Sequence, residues 1–301
     1  MKTKFALIGA AGYIAPRHMK AIQEIGGQLV AAYDKSDSVG TIDSISPDSE
    51  FFTDFERFSH YIYKLQRSED TKVDYISICS PNYLHLAHIV LGLKMGCDVI
   101  CEKPLVLSKD DLKEIQLVEK ETGKRLYNIL QLRLHDSVKS LKLKIDNELL
   151  ENPEKYYNCE IEYITSRGRW YQESWKGNVS KSGGIATNIG VHFFDLLYHL
   201  FGEPTLNEKE FQGSHSSKGK LKFNNANVDW FLSVNSDDLP EDVKGKQSTF
   251  RAIKIGDDLV EFSKGFTDLH TISYKEVLEG RGFGAEEAAC SIEMTETIRK
   301  Q

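Results

Sequence analysis

A glycine-rich turn near the amino terminus is the sequence feature that most constrains the fold of this chain. Residues 5–8 form a continuous apolar run, which is typical of a central strand covered on both faces. The run leads directly into the turn at residues 9–15, and apolar residues follow at helical spacing over residues 15–25. A strand, a glycine turn and a helix in this order predict the first unit of a parallel α/β sheet.

The rest of the first third continues to alternate strands and helices. Apolar runs predict strands at residues 29–33, 73–79, 99–101 and 126–130. Helical spacing predicts helices at residues 55–65, 84–95 and 108–121, the last with Ser108 as its N-cap. We therefore predict that residues 1–125 form an α/β domain built on a doubly wound parallel sheet.

The remainder of the chain, residues 126–301, shows a different pattern. Strands are predicted at residues 156–166, 211–213, 220–223, 228–234, 249–255 and 259–262, with turn signals between them. Two helical stretches, 268–279 and 285–299, close the chain. Consecutive strands without helices between them predict an α+β domain with a largely antiparallel, open sheet.

The charge balance and the cysteines exclude several classes of protein. The 38 Lys and Arg residues against 45 Asp and Glu give a net charge of −7, which argues against nucleic-acid binding. No apolar run reaches the roughly 18 residues that a membrane-spanning helix needs. The five cysteines form no CxxC pair, so we expect reduced thiols in a cytoplasmic protein, with no metal site.

The turn and the acid that follows it predict a dinucleotide cofactor. Small residues at Gly9 and Gly12 allow the backbone to approach a pyrophosphate at the start of a helix, although the pattern is GxxGxxA and not GxGxxG. Asp34 ends the second predicted strand, where a carboxylate binds the adenosine ribose. A carboxylate there favours NAD over NADP, and the adjacent Lys35 weakens that preference. The alternatives are a connecting turn and a solvated aspartate.

Two further motifs follow predicted strands, and a third group lies in the second domain. Residues 80–85 contain Pro-Asn-x-x-His, and residues 102–104 are Glu-Lys-Pro. A Gly-Gly pair at residues 183–184 precedes Gly-x-His-x-x-Asp within residues 188–195. Together with the glycine turn, these motifs resemble the Gfo/Idh/MocA family of NAD(P)-dependent sugar oxidoreductases over nearly the whole chain. The resemblance implies an NAD-binding Rossmann domain followed by a substrate-binding and oligomerisation domain.

A narrower resemblance concerns one branch of that family. Residues 9–18, 130–135 and 167–177 are similar to bacterial members that oxidise the C3 hydroxyl of UDP-N-acetyl-glucosaminuronic acid for O-antigen biosynthesis. This resemblance implies a homotetramer that binds NAD tightly and uses 2-oxoglutarate to reoxidise it. The alternatives are a dehydrogenase of a free sugar or an inositol-type polyol, and an NAD-binding sensor without catalytic activity.

The motifs and the resemblance predict three sets of site residues. The catalytic set is Lys103, His192 and Asn188. The cofactor-binding set is Gly9, Ala11, Gly12, Tyr13, Ile14, Asp34, Ser80, Asn82, His85, Glu102, Lys103 and Gln131. The substrate-binding set is Arg17, Lys103, Arg167, Tyr171, Lys176, Asn188 and His192.

Oxidation of a secondary alcohol needs a base for the hydroxyl proton, and the sequence offers two. His192 has an ordinary pKa near 6.5, whereas Lys103 starts near 10.4 and must be lowered by its surroundings. The family has an aspartate at the position of Asn188, so this chain departs from the pattern there. Our hypothesis is that Asn188 orients the substrate while Lys103 and His192 share the proton transfer. A histidine that merely packs or caps the helix remains the alternative for His192.

A substrate with a diphosphate and a uronate needs local cations, which a net-acidic chain must provide at the site. Arg17, Arg167, Arg169 and Lys176 are the candidates, because guanidinium groups bind phosphate and carboxylate in a bidentate manner. Tyr171 and Trp175 offer surfaces for the sugar or the base. The alternative is that residues 167–177 form a solvated loop.

Overall fold

The chain divides into two units in the computed structural model, which describes residues 2–37, 39–256, 258–261 and 268–301. The first unit comprises Met1–Ile129 and Asp268–Ala288, and the second comprises Leu130–Thr267 and Ala289–Gln301. Sequence analysis divided the chain once, at residue 125, and assigned everything beyond it to the second domain. The return of residues 268–288 to the first unit has no counterpart in that division.

The strands and helices of the described residues are as follows. The strands are β1 (Lys4–Ile8), β2 (Gln28–Tyr33), β3 (Glu50–Phe52), β4 (Tyr75–Ile78), β5 (Asp98–Cys101), β6 (Leu126–Asn128), β7 (Tyr157–Thr165), β8 (Leu206–Gln212), β9 (Ser216–Lys222), β10 (Ala226–Ser233), β11 (Thr249–Ile255) and β12 (Asp258–Glu261). The helices are α1 (Ala15–Glu24), α2 (Gly40–Ile45), α3 (Phe55–Leu65), α4 (His85–Lys94), α5 (Lys109–Thr122), α6 (Asp136–Glu151), α7 (Trp170–Glu173), α8 (Val179–Ser182), α9 (Val191–Phe201), α10 (Leu269–Leu278) and α11 (Ala285–Lys300).

The first unit contains a parallel sheet with the strand order β3-β2-β1-β4-β5-β6. The predicted doubly wound parallel sheet is therefore confirmed. Its central strand β1 buries all of Phe5, Ala6, Leu7 and Ile8, because helices cover both faces of such a sheet. Ser108 accepts a hydrogen bond from the backbone nitrogen of Asp111, as predicted for the N-cap of α5.

Helix α10 belongs to the first unit because its buried side chains join that unit's core. Tyr274 is fully buried, and its ring centroid lies 5.8 Å from that of Phe5 on β1. Its hydroxyl is hydrogen-bonded to Ser77 on β4, at 2.6 Å, and to His18 on α1, at 2.8 Å. A buried tyrosine hydroxyl needs such partners, and here the strand and helix of this unit supply them.

The second unit contains a mixed sheet with the order β12-β11-β7-β10-β9-β8. The pair β7–β10 is parallel, and the other four pairs are antiparallel. This confirms the predicted, largely antiparallel sheet and adds one parallel pair. Along β7, Tyr157, Cys159 and Ile161 are buried while Glu160 and Glu162 are exposed, so one face carries the core. That core includes residues of α6, α9 and α11.

Helix α6 is an element that sequence analysis missed. Its buried residues Val138, Leu141 and Ile145 follow helical spacing, and the ring of His135 accepts a hydrogen bond from the nitrogen of Ser137 at its start. The short α2 and β3 were missed as well. The predicted strand end at Phe262 lies outside the described residues. None of the helices in the described part of the chain has the length and hydropathy of a membrane-spanning segment.

Candidate functional site

The glycine turn of the first unit has no room for a side chain where it begins. Gly9 has a φ of +92°, and a Cβ added to it would lie 2.6 Å from the carbonyl carbon of Cys79. The backbone nitrogens of Gly9 and Ala10 both donate to the carbonyl oxygen of Tyr33, at 2.8 and 3.0 Å. Only glycine combines this backbone conformation with so close an approach, which is what a dinucleotide-binding turn requires.

The structure brings the turn and Asp34 together. Oδ2 of Asp34 accepts a hydrogen bond from the nitrogen of Ala11 at 2.9 Å, and Oδ1 accepts one from the nitrogen of Ser36 at 3.0 Å. Within the turn, Ala11 and Tyr13 are exposed, whereas Gly12 and Ile14 are partly buried. The carboxylate thus lies at the turn, as the fingerprint requires, and its contact with ribose stays a prediction.

The segment after β4 is tied to the segment after β5 by His85. This histidine is 1% exposed, and its Nδ1 lies 2.8 Å from the carbonyl oxygen of Pro104. Its Nε2 lies 2.9 Å from the carbonyl oxygen of Ser80. Burial lowers the pKa of His85, while the carbonyl contacts favour the protonated ring. Asn82 is also buried, and the hydroxyl of Ser80 is hydrogen-bonded to Nδ1 of His88 at 2.9 Å.

Glu102 of the Glu-Lys-Pro motif is the centre of a buried cluster. Its Oε1 lies 2.9 Å from Nε2 of His18 on α1 and 2.8 Å from Nε2 of His270 on α10. Its Oε2 accepts a hydrogen bond from the backbone nitrogen of Lys103 at 3.2 Å. Lys103 itself is partly buried, and its peptide bond to Pro104 is cis.

Burial and hydrogen bonding act in opposite directions on this cluster. Burial alone would raise the pKa of Glu102, but the hydrogen bonds from His18 and His270 hold it well below its ordinary value. Burial lowers the pKa of His18. The carboxylate is therefore ionised and His18 is neutral near pH 7.

The same three residues have the composition of a metal site, since two histidines and a glutamate place ligand atoms within 4.8 Å of one another. The separations of 2.8 and 2.9 Å between the histidine nitrogens and one carboxylate oxygen are those of hydrogen bonds. The arrangement therefore fits a hydrogen-bonded cluster without an ion.

In the second unit, the predicted residues Tyr171 and Asn188 are in contact. Asn188 lies in a π-helical turn, Ala186–Gly190, and its Nδ2 donates to the hydroxyl of Tyr171 at 2.8 Å. Both side chains are buried, and burial raises the pKa of Tyr171. His192 follows in the first turn of α9 and is partly buried. Turns of this kind are frequent at functional sites.

Helix α9 is held by a buried ion pair that sequence analysis did not predict. The guanidinium of Arg133 donates to both oxygens of Asp195, from Nε at 3.0 Å and from Nη2 at 2.6 Å. The side chains are 6% and 2% exposed. Asp195 lies one turn beyond His192 on the same helix, so this bidentate pair fixes the helix that carries His192.

The cations proposed for the substrate lie in different environments. Lys176 is partly buried, and its Nζ lies 4.3 Å from the ring centroid of Trp175 and 5.5 Å from that of Trp170. Arg167 is exposed, and Arg17 of the first unit is partly buried. Residues 167–177 thus form a surface segment in which a lysine lies against aromatic rings. Such a segment could bind an anionic sugar nucleotide, and the same contacts are also typical of a packed loop.

Comparison with known proteins gives a family assignment. The NAD-binding Rossmann-fold model of the Gfo/Idh/MocA oxidoreductases matches residues 3–129, and the model of their C-terminal α/β domain matches residues 142–299. The chain belongs to the Gfo/Idh/MocA oxidoreductase family. The resemblance inferred from the motifs and the predicted fold class are both confirmed.

Solved structures narrow the similarity within this family. The WlbA (WbpB) dehydrogenase from Thermus thermophilus in complex with NAD and UDP-GlcNAcA is 44% identical, with a TM-score of 0.93 over 99% of this chain and 94% of that chain. The WlbA dehydrogenase from Bordetella pertussis, in complex with NADH and UDP-GlcNAcA, is 19% identical, with a TM-score of 0.76 over 99% and 95%. The second similarity shows the fold alone.

Curated relatives are more distant. The D-glucoside 3-dehydrogenase of Escherichia coli is 29% identical over 160 residues, which cover 50% of this chain and 43% of that protein. The glucose-6-phosphate 3-dehydrogenase of Bacillus subtilis is 26% identical over 217 residues, which cover 68% and 55%. The chain spans about half the length of these relatives.

The residues of this family member fit a bound dinucleotide. The turn at Gly9 forms a cradle that a Cβ would fill, and Asp34 lies beside it. The second unit, taken by itself, contains Gln131, which is 5% exposed and whose Oε1 has no hydrogen-bond partner among the described residues. A buried amide oxygen without a partner is costly, so a ligand that donates to it would be stabilising.

Sequence reasoning missed His18, His270 and Tyr274, which surround Glu102, and it missed the partnership of Arg133 with Asp195. Asp195 is the last residue of the Gly-x-His-x-x-Asp motif, and the motif does not indicate its partner. The available signal was the position of His18 on the buried, apolar face of α1 with Met19 and Ile22. No spacing rule connects His270 to Glu102, because they are 168 residues apart.

Proposed function

We propose that this protein oxidises the C3 hydroxyl of UDP-N-acetyl-glucosaminuronic acid to the ketone, with NAD as the hydride acceptor. The observation that carries the proposal is the 44% identity, over nearly the full length of both chains, to a dehydrogenase crystallised with NAD and UDP-GlcNAcA. The proposed place of this reaction is the biosynthesis of O-antigen sugars. NAD, when bound, supplies the ring carbon that accepts the hydride from C3.

The chain's own residues handle the hydroxyl proton and the orientation of the sugar. Lys103 and His192 share the removal of the proton from the C3 hydroxyl, and Asn188 orients the substrate. Lys103 follows β5 at the carboxyl edge of the parallel sheet, which supports this role because ligands of such sheets bind at that edge. The fixed backbone around Glu102 and the ion pair on α9 support a fixed position for each base.

The remaining predicted site residues are proposed to contact the charged substrate and the cofactor. Arg17, Arg167 and Lys176 contact its phosphates and carboxylate, and Tyr171 lines the sugar. The tight turn at Gly9 and the adjacent Asp34 support binding of the cofactor's pyrophosphate and ribose. The other proposed cofactor contacts are Ala11, Gly12, Tyr13, Ile14, Ser80, Asn82, His85, Glu102, Lys103 and Gln131.

Recycling of the cofactor within the enzyme completes the proposal. NADH and a proton reduce 2-oxoglutarate to 2-hydroxyglutarate and regenerate NAD. A solved relative from Thermus thermophilus, 45% identical, was crystallised with NAD and alpha-ketoglutarate, which supports this acceptor.

The assembly and the location are also proposed. We propose a homotetramer, which the exposed second face of the sheet in the second unit supports because an open face suits packing against another chain. We propose a cytoplasmic location, supported by the five free cysteines and by the use of NAD. Light scattering of the purified protein tests the tetramer.

The function is tested with purified protein, NAD and UDP-N-acetyl-glucosaminuronic acid, with and without 2-oxoglutarate. Mass spectrometry is expected to show a sugar product lighter by two hydrogens, and 2-hydroxyglutarate where 2-oxoglutarate is present. Replacement of Lys103 by Met is expected to reduce kcat by at least about a hundredfold, since general base catalysis contributes ~10²–10⁴-fold, while NAD still binds.

The matched control is Lys113→Met, because Lys113 is an exposed lysine of the first unit on α5. This variant should turn over the substrate as the wild type does. Unchanged UDP-N-acetyl-glucosaminuronic acid in the presence of bound NAD would contradict the proposal. Turnover of myo-inositol or a free uronic acid instead would favour the polyol alternative.

A further inference from the structure

The hydrogen bonds to the side chain of Glu102 all run in one direction, because its carboxylate accepts each of them. The backbone nitrogen of Lys103 can only donate, and it donates to Oε2. An ionised carboxylate only accepts, so the Nε2 atoms of His18 and His270 carry protons and donate to Oε1. One buried negative charge is thereby satisfied by three hydrogen-bond donors.

The tautomer of His18 is fixed by a second layer of hydrogen bonds. With its proton on Nε2, its Nδ1 accepts from the hydroxyl of Tyr274 at 2.8 Å. The hydroxyl of Ser77 in turn donates to the oxygen of Tyr274 at 2.6 Å. The side chains of this cluster are all less than a tenth exposed, so water does not compete for their hydrogen bonds. They are Glu102, His18, His270, Tyr274 and Ser77.

We propose that His18 and His270 are positioning residues for Lys103, an inference that rests on the catalytic role proposed above for that lysine. They act through Glu102, which they hold from α1 and α10, and Glu102 holds the backbone nitrogen of Lys103. On the other side of Lys103, His85 holds the carbonyl oxygen of Pro104. The lysine therefore extends from a backbone segment that buried side chains fix at both ends.

Loss of one histidine donor has a predictable effect on this arrangement. Glu102 keeps its burial but loses part of the hydrogen bonding that stabilises its charge, so its pKa rises. Protonation then turns an acceptor into a donor and releases Lys103. The other titratable or charged groups near the cluster are Arg17 on α1, Cys79 after β4, Cys101 on β5 and His85 on α4.

The test compares two substitutions at each histidine. His270→Leu and His18→Leu remove the donor, whereas His270→Gln and His18→Gln keep a side-chain nitrogen that can donate to Glu102. The leucine variants are expected to lose about 10- to 100-fold in kcat, with KM for the nucleotide sugar and the affinity for NAD changed less than threefold, since misplacement by about 1 Å costs up to ~10² in rate. The glutamine variants should retain most of kcat.

Two further readouts separate positioning from mere stability. In the leucine variants the acid limb of the kcat profile should move to higher pH than in the wild type. Amide exchange at Lys103, followed by mass spectrometry of pepsin fragments, should be faster in the leucine variants than in the glutamine variants. Urea unfolding identifies any variant that fails to fold. If a leucine variant fails to fold, His18→Gln and His270→Gln are compared with the wild type instead.

The proposal is overturned if leucine and glutamine variants lose kcat equally, if the loss lies in KM or NAD affinity alone, or if the Lys103 amide exchanges at the wild-type rate. Zinc bound stoichiometrically to the purified protein, with activity lost on chelation, would also overturn it. A wild-type protein that leaves UDP-N-acetyl-glucosaminuronic acid unchanged refutes the proposed function. Amide exchange then still decides whether the two histidines position Lys103.

Discussion

Each unit of the molecule contains a buried carboxylate next to a residue proposed for proton transfer, but the two are stabilised differently. In the first unit, Glu102 precedes Lys103 and accepts hydrogen bonds from His18, His270 and the backbone. In the second unit, Asp195 lies one turn after His192 and pairs with a guanidinium. Both arrangements fix the backbone that carries the base.

The difference between the two carboxylates concerns their response to pH and to mutation. Histidine donors change protonation within the range where proteins remain folded, whereas a guanidinium does not. Removal of one histidine donor from Glu102 leaves a buried charge with fewer hydrogen bonds. Removal of Arg133 takes the guanidinium away from the buried carboxylate of Asp195. The first unit is therefore expected to respond to pH through its cluster, and the second to respond most strongly to mutation.

The largest effect is expected for the ion pair of the second unit. Arg133→Met or Asp195→Leu should each lower the free energy of unfolding by about 3–5 kcal/mol, because each removes the bidentate partner of a buried charge. The double variant should recover part of that loss. Urea unfolding followed by tryptophan fluorescence measures this unit, since Trp170, Trp175 and Trp230 all lie in it. Additive losses in the double variant would contradict the assignment.

The next largest effect is the dependence of stability on acid. Burial lowers the pKa of His88 in the first unit and of His199 in the second to about 4. In the unfolded chain these histidines take up protons near pH 6.5. Between pH 6.5 and 4 the unfolded chain therefore binds more protons than the folded chain does. Stability is therefore full above pH 6.5 and falls towards pH 4, by up to about 3 kcal/mol for His88 and by less for His199, which is more exposed to solvent.

Glutamine variants of these histidines sharpen the comparison. His199→Gln should remove most of the acid dependence of the second unit in this range, as measured by tryptophan fluorescence. His88→Gln should leave part of it in the first unit, where burial also lowers the pKa of His18 and His85. Amide hydrogen exchange in β1 measures the stability of the first unit. If the free energy of unfolding kept the same dependence on pH in both variants, the two units would not differ in their response to acid.

A third carboxylate, Asp34, is held by backbone nitrogens of Ala11 and Ser36 and is only partly buried. Asp34→Ser should raise the ratio of kcat/KM with NADP to that with NAD about tenfold, or ~1.4 kcal/mol, because the charge that repels a 2′-phosphate is lost. Asp43→Ser on α2 is the control and should leave the ratio unchanged. An unchanged ratio in the Asp34 variant would mean that this carboxylate does not select the cofactor.

The sequence predicted the parts of the fold that depend on local pattern. The apolar run at residues 5–8, the glycine turn and the N-cap at Ser108 were all recognisable because their physical causes lie within a few residues. Helix α6 was equally readable from the spacing of Val138, Leu141 and Ile145, and it was overlooked. The parallel pairing of β7 with β10 was not readable, because no local signal specifies which strands pair.

The candidate site divides in the same way. Motif residues such as Lys103 and His192 could be selected from sequence, since each follows a recognisable strand or opens a helix. Their supporting residues could not be selected. His270 reaches Glu102 across 168 residues, and Arg133 reaches Asp195 across 62, so only the folded chain reveals these partners.

Hydride transfer from C3 is the central claim, and a deuterium label tests it most directly. UDP-N-acetyl-glucosaminuronic acid deuterated at C3 is incubated with the holoenzyme and 2-oxoglutarate, and both products are analysed by mass spectrometry. The account predicts a keto sugar without the label and 2-hydroxyglutarate that carries it at C2. A sugar product that retains its deuterium, or 2-hydroxyglutarate without the label, would contradict oxidation at C3 with internal recycling of the cofactor.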